Sequence, residues 1–454
     1  MPQTDLDLEL EARQTPSGTT LTQTPRDGSR AELQSDPESD IGHHQAFSLP
    51  AVDSGKDAWM FLAAAFVVEI LVWGFPFAYG IFQEYYSANE PFRGSRNIAV
   101  IGTCAMGIMY LSAPLVFGLL QRFPNAKRPA IVVGLVTMCL ALGLSSLSQT
   151  VTHLIVTQGV FYAVGGGLVY SPTILFMDEW FVKRKGFAFG VMWAGTGLGG
   201  VLIPLLLQYL LNNHGFRLTL RVWSIILFVA TAPLTYFLKP RLPISQSSRM
   251  RRFDLSFVTH PTFLLLQTGN ILEGLGYFVP SIYLPTYARQ LGASNPVSAL
   301  TIILFNIASV FGCVIMGSII DRWHVTTCIC ISTLGSTLAI FLLWGFSTSL
   351  PPLLIFSLMY GLFAGSFSST YPGVMMAVQR RTRDADSSMV FAMLAAGRGI
   401  GNVVCGPVSE ALRRVGEWEA VGAYGKGYGP LVVFTGVSAA LGGVAVVGRR
   451  VGWV

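Results

Sequence analysis

Three charged residues stand inside otherwise apolar runs: Glu69, Glu273 and Arg398. An ionised side chain at the centre of a bilayer costs about 2.5–3.5 kcal/mol or more, so such residues face a bundle interior or a wet cavity and mark function by default. Two carboxyls of this kind can carry a proton, because removal from water favours the neutral form of an acid. Arg398 can neutralise one of them or attract an anionic group of a solute. Static hydrogen bonding to a neighbouring helix is the alternative role for the two acids. For Arg398 the alternative is a structural pair within the C-terminal half. Around these charges lie Trp73, Phe77, Tyr79, Tyr170, Trp193, Tyr283 and Tyr371, which suit an aromatic, weakly polar cavity for a partly apolar organic solute. Asn270, Asn306 and Gln267 add neutral polar positions, and ordinary packing is the competing role for the aromatic residues.

The elements that must position these residues are readable from composition. The chain has 454 residues, 52% hydrophobic and only 12% charged, with a mean hydropathy of +0.54. A soluble domain carries about a quarter charged residues, so a soluble enzyme, a disordered chain and a fibrous protein are all excluded. Residues 1–52 are polar, rich in Ser, Thr, Pro and acids, and read as a disordered tail, with Thr15 and Thr24 as candidate phosphorylation sites. The tail has no apolar run that could serve as a secretory signal. Apolar runs then predict twelve spans at 58–83, 97–120, 129–148, 153–178, 186–211, 218–238, 258–288, 296–320, 325–346, 351–378, 388–412 and 430–448. Lys and Arg concentrate in the loops on the side of the termini, among them Lys127, Arg128, Lys183, Arg184, Lys185, Arg249, Arg251, Arg252, Arg322, Arg380 and Arg381. Fewer lie opposite, such as Arg96, Arg217, Arg289 and Lys426, so both termini are expected in the cytosol.

The sequence repeats. Glu69, Pro76 and Tyr79 recur as Glu273, Pro280 and Tyr283, 204 positions on (273 − 69). The run Ala194-Gly-Thr196-Gly-Leu-Gly-Gly200 recurs as Ala396-Gly-Arg398-Gly-Ile-Gly-Asn402, 202 positions on (396 − 194). Tyr170-Ser-Pro172 is echoed by Tyr371-Pro372, and Gln121-Arg122 by Asp321-Arg322. Such echoes imply two parallel six-helix halves related by an axis along the membrane normal. The expected division is a tail at 1–52, bundles at 53–238 and 258–450, and a cytosolic linker at 239–257. Pro76 and Pro280 each remove a helical hydrogen bond and bend their spans, as a cavity that opens alternately to each side requires. Arg122, Asp178, Lys183, Arg184, Asp321 and Arg322 are expected to form loop contacts that hold one access state closed.

Other chemistries are absent from the motifs. The glycine run at 195–200 has no preceding strand and lies in an apolar helix, where small residues let helices approach closely. No Gly-x4-Gly-Lys-Ser/Thr is present, so nucleotide-driven pumping is unsupported. The six cysteines lie in apolar stretches without Cys-x-x-Cys, which argues against a disulfide framework or a metal site. No cofactor and no nucleic-acid partner is expected.

The two six-span halves, the loop Gly317-Ser-Ile-Ile-Asp321-Arg322 and the linker together resemble the major facilitator superfamily. Asp53-Ser-Gly55-Lys-Asp-Ala-Trp59, Gly165-Gly-Gly-Leu-Val-Tyr170-Ser-Pro172 and Trp180-Phe-Val-Lys-Arg-Lys-Gly186 are similar to motifs of its monocarboxylate-porter-like branch, and Trp73-Gly with Gly80-Ile-Phe-Gln-Glu-Tyr-Tyr86 resembles the fungal members. The resemblance implies an all-α membrane protein of twelve spans that moves a small organic solute by alternating access, with protons as a candidate co-substrate. Animal lactate porters carry a lysine where Phe77 stands, and an Asp and an Arg where Ser309 and Cys313 align, so their carboxylate machinery is not reproduced. Gln121 also stands where an acid is usual. The expected protein is a monomeric secondary transporter in the plasma membrane, with a vacuolar or other organelle membrane as the alternative. Export of a secondary metabolite and non-transporting solute sensing are the competing functions.

Overall fold

The computed structural model describes residues 50–95, 97–243, 255–415, 422–425, 427–450 and 452. The tail before residue 50, with Thr15 and Thr24, lies outside the described residues, as do Arg96, Arg249, Arg251, Arg252 and Lys426. Among the described residues, nine helical stretches are long and apolar enough to cross a membrane, or ten if the bent pair Ile98–Leu111 and Ala113–Arg122 forms one span. The long stretch Lys185–Tyr236 holds two spans, because its helix breaks at Gly215, whose φ of 71° and ψ of 173° are not helical. Only glycine adopts that backbone without steric cost. Helix Pro261–Gln290 completes the twelve, its apolarity diluted by Gln267, Asn270, Glu273 and two internal prolines.

Numbered along the chain, span one is Lys56–Ala88, span two is Ile98–Leu111 with Ala113–Arg122, span three is Pro124–Ser145 and span four is Val151–Trp180. Spans five and six are the arms of Lys185–Tyr236 before and after Gly215. Span seven is Pro261–Gln290, eight Asn295–Ile320, nine Val325–Trp344, ten Leu350–Arg381, eleven Ser387–Arg414 and twelve Gly429–Arg450. The expected bounds differ by a few residues at most ends, some helices running past the apolar run, as Lys56–Ala88 does, and others stopping short of it, as Val325–Trp344 does.

The spans form two bundles of six. Span one packs on five, three on four, and seven on eleven and twelve; the bundles meet where eight lies along five and eleven lies along two. The repeat relates two to eight and five to eleven, so the interface has the same pseudo-symmetry as the sequence. Small residues set its spacing. A Cβ on Gly186 would stand 2.6 Å from the Gly317 carbonyl oxygen, and one on Gly197 would stand 2.8 Å from that of Asn306. The glycine run therefore serves helix packing, as its apolar setting suggests.

Both described ends of the chain lie on one face. The Pro50 carbonyl accepts from Arg241 Nε at 2.7 Å, and the Gly452 carbonyl accepts from Arg381. The Asp53 carboxylate accepts the backbone N–H groups of Val182, Lys183 and Arg184 at 2.9–3.0 Å.

Candidate functional site

A cavity of about 1220 Å³ lies between the bundles. Its wall is built from spans one, two, four, five, seven, eight, ten and eleven, and it reaches Glu84, Ser87, Arg289 and Glu410, at the ends of spans one, seven and eleven that lie away from the chain termini. On the terminal side it is floored by aromatic rings. Phe391 stacks on Trp193 with centroids 6.0 Å apart and meets Phe117, Phe189 and Tyr371 at 5.8–6.1 Å. Residues of four spans, two, five, ten and eleven, converge there, so the floor depends on both bundles holding together.

Of the residues expected on the solute path, Glu69, Trp73, Phe77, Tyr79, Tyr170, Tyr283, Asn306, Tyr371 and Arg398 line the cavity. Glu273 and Asn270 do not. Asn270 donates to the Leu394 carbonyl and accepts from the Tyr371 hydroxyl, which fixes spans seven, ten and eleven together. Glu273 turns toward span eleven and pairs with Arg398 Nη1 at 2.7 Å, both side chains buried. The guanidinium also lies over the Tyr277 ring, 4.1 Å from its centroid.

Glu69 has a different partner. The Thr196 hydroxyl donates to its Oε1 at 2.6 Å, while Oε2 is buried without a hydrogen-bond partner. Thr196 is the repeat mate of Arg398, and Glu69 is the mate of Glu273. The same inter-helix contact is therefore built twice, once with a hydroxyl and once with a cation. Thr196 was not among the expected site residues, although the repeat of the glycine run, 202 positions on, aligned it with Arg398. One turn beyond Glu69, Trp73 Nε1 is a second buried polar atom without a partner.

The face near the termini is closed by backbone caps and one lysine. Asp321 reaches from span eight to the start of span five, where its carboxylate accepts the N–H of Gly186 at 2.6 Å and of Phe187 at 2.9 Å. Burial holds the Asp321 carboxyl above its usual range in spite of these two donors. In the mirrored contact Gln121 donates to Asp386 at 2.7 Å, and Asp386 caps span eleven through the N–H of Ser388 and Met389. Lys185 pairs with Asp178 at 2.8 Å and donates to Ser387 across the bundle interface. Lys183 and Arg184 contribute through their backbone to Asp53, so Lys185 is the member of that basic run whose side chain bridges the halves. Arg122 and Arg322 are exposed at the ends of spans two and eight. Lys185 was read in the sequence as part of the basic run after Asp178, whereas Asp386 and Ser387 were not singled out, because their partners lie far along the chain.

This architecture defines a polytopic membrane protein with a solute-sized cavity shared by two related helical bundles. The sequence matches the Major Facilitator Superfamily over residues 60–403 and 266–449, and the chain belongs to that family. It is 27% identical over 406 residues to the fujikurins efflux protein of Gibberella fujikuroi, covering 88% of this chain and 83% of that one. It is 28% identical over 371 residues to the agnestins efflux protein AgnL12 of Paecilomyces divaricatus, covering 79% and 82%. The fold is shared with a crystal structure of the human organic anion transporter MFSD10, at a TM-score of 0.63 and 14% identity, over 86% of this chain and all of that one. The protein is a membrane transporter of a small molecule and not an enzyme.

Proposed function

We propose that the protein is a proton-linked exporter of a small organic metabolite. The observation that carries this reading is Glu69: a buried carboxylate on the cavity wall, hydrogen-bonded by one hydroxyl, with its second oxygen unpartnered. A buried charge without a cation is costly unless it takes a proton or a ligand donor, so one atom can serve proton and solute in turn. That two relatives are efflux proteins supports the outward direction. The motifs quoted from the sequence support placement in the monocarboxylate-porter-like branch.

The bundles divide at the 239–257 linker, and the chain acts as a monomer. Its termini face the cytosol, which makes the described state open to the outside, and the plasma membrane is its residence. Solute release is followed by closure over the cavity mouth, while the caps on Gly186, Phe187 and Ser388 break and the aromatic floor parts.

The test is transport in proteoliposomes with an imposed pH gradient, using extracted metabolites of the producing cell as candidate solutes. Gradient-driven accumulation that disappears with a protonophore and in Glu69→Gln is the expected result. Accumulation indifferent to both would remove the proton from the mechanism.

A further inference from the structure

The cavity contains two opposite kinds of polar group, and their states differ. Arg398 is a cation on the wall, but its charge is occupied: Glu273 holds it from behind at 2.7 Å and Tyr277 covers a face at 4.1 Å. Glu69 Oε2 is a buried acceptor without a hydrogen-bond partner, and Trp73 Nε1, one turn along the same span, is a buried donor without one, both on residues that line the cavity. Both side chains are more than nine-tenths buried. A solute carboxylate beside Glu69 would meet that carboxylate, and among the described residues the other cation on the cavity, Arg289, lies at its mouth rather than beside Glu69, so its desolvation is not offset there. A hydroxyl group can donate to Oε2 and accept from the indole at once. The rings of Trp73, Tyr110, Tyr170 and Trp193 supply flat apolar walls beside these atoms; Trp73 and Tyr110 have centroids 4.5 Å apart, and Trp193 donates to the Tyr170 hydroxyl.

We infer that the solute is a flat, uncharged aromatic molecule bearing a hydroxyl group, held between Glu69 Oε2 and Trp73 Nε1, and that Glu273 excludes carboxylates by keeping the Arg398 charge occupied. This rests on the cavity being the transport site proposed above. It also supplies the coupling. The solute hydroxyl and a proton compete for one carboxylate oxygen, so each displaces the other. Glu273 acts through Arg398 and is a positioning residue, one that sets selectivity without touching the solute.

The experiment uses the purified full chain and three probes with one skeleton: pyrene, 1-pyrenemethanol and 1-pyrenecarboxylate. Binding is read as pyrene emission sensitised by tryptophan. The wild type should prefer the alcohol to the carboxylate by about tenfold, and to pyrene itself. Glu69→Leu should bring the alcohol down to the affinity of pyrene. Glu273→Gln should improve carboxylate binding by about tenfold, and adding Arg398→Gln to it should remove that gain. A wild type that prefers the carboxylate, or that binds none of the three, overturns the inference, and so does a folded Glu273→Gln protein with unimproved carboxylate binding. If Glu273→Gln cannot be purified, the wild-type ranking still decides. Loss of gradient-driven export with this ranking intact would count against the transport reading alone, whereas intact export with carboxylates preferred would count against this one alone.

Discussion

Glu69 and Glu273 are the same residue in the same place of two repeats, yet their surroundings ask different things of them. Glu273 shares a buried ion pair, and removing one partner of such a pair strands the other at a cost of about 3–5 kcal/mol. Glu69 accepts a single neutral hydrogen bond, and replacing its carboxylate by an amide leaves nothing charged behind. Thermal unfolding in detergent should therefore separate the two sites: Arg398→Ala lowers the melting temperature strongly, whereas Glu69→Gln leaves it unchanged or raises it. A large loss of stability in Glu69→Gln would mean that its carboxylate is paired after all. A third titratable residue acts on the opposite side of the balance. His324 caps span nine, its Nδ1 accepting from the Thr326 N–H at 3.3 Å. Burial, then the nearby Arg449 and Arg380, hold its pKa below the ordinary 6.5. A lowered histidine pKa favours the folded state above the ordinary value, and that stability is lost as pH falls from there through the lowered one. Acid removes the acceptor and places a cation at a helix N-terminus, both unfavourable. His324→Asn keeps the cap without the titration, so its melting temperature should fall less than that of the wild type below neutrality, a difference worth at most about 1 kcal/mol because the ring is exposed.

At the scale of the elements, the closed face depends on helix starts. Span five begins with N–H groups that no preceding turn can satisfy, and Asp321 supplies two of their acceptors from the other bundle. Losing such a cap costs about 0.5–2 kcal/mol, and here the loss falls only on the closed arrangement. Asp321→Ala should shift the population toward opening at the terminal face. Gly80 offers the readout, since it lines the cavity and a side chain there meets nothing within 4 Å. A cysteine at this position, in a background without the native cysteines, should be labelled more slowly from the cavity mouth once Asp321 is removed. Unchanged labelling would show that the cap is decorative. The mirrored contact places its acid on span eleven, as Asp386, and leaves Gln121 on span two. Gln121→Asp would set two carboxylates within hydrogen-bond distance and should loosen the same face further. The sequence made the helices and their order legible, because each span is a run of apolar residues and lipid tolerates no other solution for the backbone. It made the missing acid at Gln121 visible as a departure. It did not show where the acid had gone, because Asp386 lies 265 positions away and no local pattern marks a contact between bundles.

Over the whole molecule, duplication yields two equivalent sites and divergence has given them different work. The offset near 200 relates Glu69 to Glu273 and Thr196 to Arg398, and it was readable in the sequence. The sequence offered Arg398 as a partner for one of the acids but did not show which, nor that Thr196 holds the other, because each contact joins spans 125 or more positions apart. If the division of roles follows only from Thr196 against Arg398, it should be movable. Thr196→Arg gives Glu69 the cation that its mate already has; Thr196 lines the cavity, which leaves room for the longer side chain. Gradient-driven export should be lost with stability retained, because the new charge is paired rather than stranded. Arg398→Thr alone should leave a second uncompensated carboxylate and cost several kcal/mol, about the loss of one partner in a buried pair. In the double variant one compensated and one open carboxylate remain, exchanged between bundles. Its melting temperature should recover toward that of the wild type. Export should now depend on Glu273, so that adding Glu273→Gln abolishes it and adding Glu69→Gln destabilises. If the double variant still relies on Glu69, or is no more stable than Arg398→Thr, then residues outside these two pairs set the roles of the halves.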